Sequence, residues 1–369
     1  MRTVKLITTI CWIVTALILV GLAIWFLTGS LFGFAPDGWD SILSSGFSFS
    51  SIEKLSGSYE EVGSYNVPAD EVDSFDIMWV TGNVTVVPYD GSEIKLIEYA
   101  RRALEDDELL KLTTTNGKLR IAYCSRTKWV RIPQKKLELF IPDELSKSIH
   151  SFIVDSTSGD VNLESISAKD MNIDSVSGSI KLSDIYAPAL SLDSMSGSID
   201  VIAATSDHIS INTISGSVKA IECTSEKLNC DSTSGSFTLS GSFENVSLNT
   251  ISGSGFLDNT ASGSTVKTDS TSGSMDLSGS FHSARHNSIS GTIKVASSIV
   301  PVTFSSDTTS AKVTLTIPDE GPVNVNHSSV SGKLTSDVPV TMVSSGNAQL
   351  RFTTISGEVR ILVPDQNVN

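Results

Sequence analysis

From residue 151 onward, apolar and polar residues alternate with a period of two, and Ser-Gly breaks the alternation at near-constant intervals. The glycines are Gly159, Gly178, Gly197, Gly216, Gly235, Gly253, Gly273, Gly291, Gly332 and Gly357, with successive spacings of 19, 19, 19, 19, 18, 20, 18, 41 and 25. The 41-residue gap closes to nearly two periods if Ser310-Ala311 is a degenerate copy. Around each glycine the order is apolar, x, apolar, Asp or Asn, Ser or Thr, x, Ser, Gly, Ser, apolar, x, apolar, as in Leu190 to Val201 and Ile209 to Ala220. Alternation on both sides of a small-residue corner predicts two short strands per repeat.

No repeat of this length buries its own apolar face. Met171 and Ile173, entering one corner, and Ile180 and Leu182, leaving it, are covered only by their equivalents in the coils above and below. The predicted fold is all-β, a parallel β-solenoid (β-helix) of 19-residue coils stacked about 4.8 Å apart. In this reading the glycine supplies a positive φ at the corner. The Asp or Asn four residues earlier (Asp155, Asp174, Asp193, Asn212, Asp231, Asn249, Asp269, Asn287) accepts backbone amides in an Asx turn, and the serines form a polar ladder. A second Ser-Gly-Ser at Gly241 and Gly279 marks the opposite bend. Gly255 occupies a normally apolar site and is followed by Phe256, which predicts a bulge returning Phe256 to the interior.

The chain before the array divides by composition. Residues 1–5 carry Arg2 and Lys5 and read as a cytoplasmic N-terminus; residues 6–28 are uncharged and strongly apolar and predict one transmembrane helix. Basic residues before the span and Asp37 and Asp40 after it orient the remainder to the outside. A cleaved signal peptide ending near Gly21-Leu22-Ala23 is the competing reading, although the apolar run continues to Leu27. Residues 29–59 form a linker or stalk, 60–150 N-terminal capping coils opened by Val80-Thr81-Gly82, 151–317 the regular Ser-Gly-Ser array, and 318–369 the C-terminal coils and cap.

Composition narrows the function. The formal charge is -15, with 26 basic and 41 acidic residues, which argues against nucleic-acid binding because phosphates are held by cations. No Gly-x-Ser-x-Gly, P-loop, His-Glu-x-x-His or Cys-x-x-Cys motif is present, so no catalytic residue or cofactor is assigned. Of the five histidines only His282 and His286 are close in sequence, without a third ligand type nearby. Cys223 and Cys230 either form a disulfide in an oxidising compartment or are buried thiols, since they fall at positions that other repeats fill with Ile or Leu.

Asp155, Asp174 and Asp193 share one position in consecutive coils. Carboxylates about 4.8 Å apart repel by roughly 1 kcal/mol in water, which makes the three candidate calcium ligands as well as turn caps. Arg120, Arg126, Lys128, Arg131, Lys135 and Lys136, with Trp129 among them, are either a solvated face or a patch for anionic polymer or lipid headgroups.

The Val80 to Val86 opening, the Leu139-Phe140-Ile141-Pro142 strand and the array of Ser-Gly-Ser coils resemble a bacterial family of domains of unknown function grouped as adhesins. The likeness covers about residues 60–365, and the family includes membrane-anchored accessory proteins of Lia-type envelope-stress operons. It implies a surface β-solenoid, adhesive or regulatory, typical of Gram-positive bacteria, and supplies no catalytic residue. The expected protein is therefore a non-enzymatic, single-pass membrane protein whose extracytoplasmic solenoid is an adhesin or binds a cell-wall glycan, wall polymer or membrane-protein partner. The alternatives are a regulatory subunit of an envelope-stress system and, more remotely, a polysaccharide lyase or hydrolase, which needs long side loops that the regular coils lack.

Overall fold

The computed structural model describes residues 58–125 and 132–364. The predicted span, residues 6–28, and nearly all of the stalk lie outside the described residues, among which no helix is long and apolar enough to cross a membrane. What is described is an all-β parallel solenoid with coils of about 19 residues.

Two parallel ladders meet at the Ser-Gly corner. One contains Ile149–Ser156, Ala168–Ser175 and Ala189–Ser194; the other contains Val161–Glu164 and Ile180–Tyr186. From Ile199–Thr213 to Met275–Ser288 each strand bends once and belongs to both ladders. Register is residue for residue: Met171 pairs with Phe152 and Leu190, and Ile180 with Val161 and Ile199. Identical alternation in successive coils therefore stacks apolar side chains into continuous interior columns. Leu190, Leu192, Ile199 and Val201 are almost fully buried in one coil, and each such side chain stabilises the fold by about 1.5–3 kcal/mol.

The bend opposite the Ser-Gly corner depends on left-handed residues that the sequence does not advertise. Ser165, Asp184, Ala203 and Glu222 have φ of 55°, 57°, 56° and 57°; in the following coil the register shifts and Gly241 pairs with Cys223, the residue after Glu222. A Cβ on Gly241 would lie 2.0 Å from the Cys223 carbonyl oxygen. Gly241 thus sits at the opposite bend, as expected.

Phe256 corrects the sequence reading. It is 44% exposed, while Gly255 points inward between Phe237 and Met275. A Cβ on Gly255 would meet Phe237 at 2.1 Å and the Met275 sulfur at 2.6 Å, so large neighbours in the coils on either side fill its place. The register irregularity lies at the other bend, between Asn259 and Ser264, where Gly263 has a φ of 67°. Buried Asn259 holds that loop by donating to the Phe243 carbonyl and Ser264 Oγ and accepting from the Phe243 and Ala261 amides.

At both ends the spatial order departs from chain order. Ser74–Trp79 lies between Ile149–Ser156 and Lys118–Ala122, and Val84–Tyr89 lies between Val161–Glu164 and Lys135–Pro142. At the far end Leu350–Thr354 inserts between Thr303–Thr308 and Val323–Ser329. The N-terminal end is closed by antiparallel strands: Glu93–Ala100 pairs with Lys135–Pro142, Glu60–Pro68 with Glu93–Ala100, and Lys111–Thr115 with Lys118–Ala122.

Candidate functional site

The Ser-Gly corner is the most regular outward feature. Its glycines are required by close approach, not by left-handed backbone: Gly159, Gly178 and Gly197 are absent from the positive-φ positions. A Cβ on Gly178 would lie 2.0 Å from the Gly159 carbonyl oxygen, and one on Gly197 the same distance from that of Gly178. The column begins at Gly82 and passes through Ala311 between Gly291 and Gly357. The Thr-Gly opening and the degenerate Ser310-Ala311 repeat therefore both sit where the sequence placed them.

The turn is capped one residue later than expected. The hydroxyls of Ser156, Ser175, Ser194 and Ser232 donate to the carbonyls of Gly159, Gly178, Gly197 and Gly235 at 2.7–2.8 Å, and Thr250 and Ser288 accept the amides of Gly253 and Gly291. The Asp/Asn column instead bonds between coils. Asn212, Asn249 and Asn287 donate Nδ2 to Asp193, Asp231 and Asp269 at 2.7, 2.5 and 2.6 Å. An outward residue in a strand cannot reach the turn amides, whereas the next residue, facing inward at the corner, can.

Outside the glycine column the corner carries three parallel rows. Half-exposed Val176, Met195, Ile214, Ile251 and Ile289 form the first, with Thr233 and Thr271 at the same position of the intervening coils. The second is a row of serines spent on structure, Ser177, Ser196, Ser215, Ser234 and Ser252 each donating to a carbonyl of the previous coil. The third row, from Ser179 and Ser198 to exposed Ser217, Ser236, Ser254 and Ser274, turns hydroxyls outward. A ridge of serine hydroxyls repeating once per coil, beside a row that is aliphatic in most coils, suits an extended partner with apolar and hydroxylated surfaces.

The structure brings Asp155, Asp174 and Asp193 together in register. Burial, reinforced by the Asp76 carboxylate, raises Asp155 to about 6; burial and the flanking Asp193 and Asp155 raise Asp174 to about 7. Asp174 accepts from Asn172 Nδ2 at 2.9 Å, and its raised pKa favours a proton on this middle carboxyl, which relieves the repulsion. Among the described residues no three His, Cys, Asp or Glu are arranged to hold a metal ion.

The basic run does not form one face. Lys135 is fully buried against Glu98, Lys136 pairs with Glu138, and Arg120 lies 3.8 Å from Asp76; Arg126, Lys128, Trp129 and Arg131 lie outside the described residues. Cys223 and Cys230 are buried free thiols, both raised by burial. His282 faces outward while His286 is buried against Thr268 Oγ1 at 2.6 Å, so the two do not converge. The Lys135 pocket is not evident from the run of basic residues, although the alternation Lys135, Leu137, Leu139, Ile141 places Lys135 in the inward phase.

Stacked parallel coils, an inward apolar ladder and a hydroxyl-rich corner define a β-solenoid of the repeat-protein class. Two matches to the Toastrack DUF4097 family model, at residues 72–220 and 199–367, span most of it, and the chain belongs to that family. No curated protein matches it in sequence. Among solved structures it is similar to a candidate lipid-binding protein of Parabacteroides distasonis, at 14% identity over 84% of this chain and 99% of the other, with a TM-score of 0.41. It is also similar to a candidate adhesin of Parabacteroides merdae, at 11% identity over 85% and 99% with a TM-score of 0.36. A candidate adhesin of Bacteroides fragilis aligns at 12% identity over 83% and 98% with a TM-score of 0.30. The family match, not these distant alignments, is what places the chain.

Proposed function

We propose that this Toastrack solenoid is a non-enzymatic protein, anchored in the membrane by residues 6–28, that binds a glycan polymer of the cell envelope along its Ser-Gly corner. The observation that carries the reading is the ridge itself, with Val176, Met195, Ile214, Ile251 and Ile289 beside outward hydroxyls from Ser179 to Ser274. A sugar chain has C–H faces for the aliphatic row and hydroxyls for the outward serines of the third. Weak contacts repeated coil after coil act as linked sites whose effective concentrations multiply. The inter-coil hydrogen bonds hold the ridge rigid before it binds, which limits the ordering penalty.

The test is cosedimentation of residues 58–369 with isolated cell envelopes, with and without a calcium chelator, beside a variant carrying S217E, S236E and S254E. The expected result is binding that ignores the chelator and is lost in the variant. Binding lost with the chelator would move the site to the Asp155, Asp174, Asp193 ladder. Absence of binding would sink the polymer reading and favour a regulatory subunit that docks a membrane protein.

A further inference from the structure

The interior of the N-terminal cap holds a charged pair that the polymer-binding reading does not use. Lys135 Nζ lies 2.6 Å from Glu98 Oε1, and both side chains are 0% exposed. Lys135 stands on Lys135–Pro142, the outermost parallel strand of its ladder, and Glu98 on the antiparallel strand Glu93–Ala100 that covers it. Nζ also donates to the carbonyls of Glu108, at 2.7 Å, and Tyr123. The rings of Tyr123 and Trp79 lie 4.1 and 5.2 Å from it. On the other side, the Leu110 amide reaches both Glu98 oxygens at 3.1 Å, and the Tyr65 hydroxyl donates to Oε2 at 3.3 Å.

We propose that Lys135 and Glu98 form an intramolecular amide bond that covalently ties the antiparallel cap to the solenoid. The geometry supplies what condensation needs. Nucleophile and electrophile are held in contact, which replaces a bimolecular encounter with an intramolecular step. Water, the co-product that reverses the reaction, is excluded by the aromatic walls. Donors from Leu110 and Tyr65 stand where negative charge develops on the carboxyl oxygen. Burial pulls the Lys135 ammonium down, toward the neutral amine, with Glu98 opposing.

The step balances without an external reagent. The ammonium passes a proton to the Glu98 carboxylate across their hydrogen bond, leaving an amine and a carboxylic acid. The Nζ lone pair attacks Cδ and a C–N bond forms. A proton moves from nitrogen to the departing hydroxyl, the C–O bond breaks, and water leaves. The amide removes two buried charges that are expensive to desolvate and closes residues 98–135 into a covalent loop.

The experiment is mass spectrometry of the purified, denatured full chain, followed by tryptic mapping. The expected intact mass is one water below that of the linear sequence. The expected map joins Leu96–Arg101 to Ile132–Lys136 in one branched peptide uncut after Lys135. Full linear mass, with cleavage after Lys135 and a free Leu96–Arg101 peptide, would overturn the proposal and leave an ordinary buried ion pair. Lys135→Arg keeps the charge but removes the amine, so the branched peptide must vanish; its persistence would equally refute the assignment. Both readings are made on denatured protein, so a folding defect in the variant does not obscure them.

Discussion

Asn212 Nδ2 donates to Asp193 Oδ1 at 2.7 Å, across adjacent coils at one position of the repeat. The same bond joins Asn249 to Asp231 and Asn287 to Asp269. Alternating amide and carboxylate keeps charges two coils apart and gives each carboxylate a donor. At Asp155, Asp174 and Asp193 this alternation fails, and burial with the flanking carboxylates raises Asp174 so that a proton is favoured in the amide's place.

Asp174→Asn restores the alternation and should stabilise the fold above pH 7. The sign follows from the raised folded pKa of about 7. Between the ordinary value of 3.8 and about 7 the folded state binds a proton the unfolded state has lost, so stability is present at low pH and declines as pH rises through this window. Discounted for partial solvent access and coupling, the gain is about 1–3 kcal/mol at pH 8. It should shrink toward zero near pH 4, as measured by denaturant unfolding of both proteins. An equal difference at both pH values would refute a proton held on Asp174.

Gly197→Ala tests the steric account of the corner. With its Cβ 2.0 Å from the Gly178 carbonyl oxygen, it should be destabilised by about 3 kcal/mol as two coils are forced apart. Gly346 has open space around it and no positive φ, so Gly346→Ala should lie within about 0.5 kcal/mol of the parent. Similar thermal unfolding midpoints for the two variants would contradict the packing argument.

Spacing made the solenoid legible, because a period of about 19 with period-two flanks allows little besides stacked coils. It did not reveal why each motif residue is there. Close approach between coils is a relation among repeats, so Gly178 looked like a turn residue when it is a contact residue. Phe256 was misplaced because a missing side chain at Gly255 is filled by Phe237 and Met275, which are distant in sequence. The interleaved C-terminal order left one trace, the spacings of 41 and 25 around Gly332, but a spacing does not say which coil is skipped. Lys135 was obscured by its basic neighbours, although its alternation phase pointed inward.

His286 should make the fold acid-sensitive. Burial lowers its pKa from 6.5 to about 4, with Asp269 partly opposing. Between these values the unfolded chain takes up a proton that the folded chain refuses, so stability is full above 6.5 and falls as pH drops toward 4. The loss is about 2–3 kcal/mol, opposite in sign to the Asp174 effect. The double variant Thr268→Val, His286→Leu removes both hydrogen-bonding groups together and should abolish this contribution, making stability less acid-sensitive between pH 7 and 4.5. An unchanged pH slope would show that His286 is protonated in the fold.

Cys223 and Cys230 make the last expectation, about accessibility. Both are at most 1% exposed, and burial raises both thiols, so the reactive thiolate is scarce and shielded. Register places Cys230 between Ile211 and Leu248, in an interior column, while Cys223 lies beside Gly241 at the opposite bend. A maleimide applied to the native protein should leave peptides carrying either residue unmodified. The same reagent in concentrated guanidinium without reductant should label both fully. Labelling that requires a reductant after denaturation would mean a disulfide, and labelling of native Cys230 would mean that the coils open locally far more often than their packing implies.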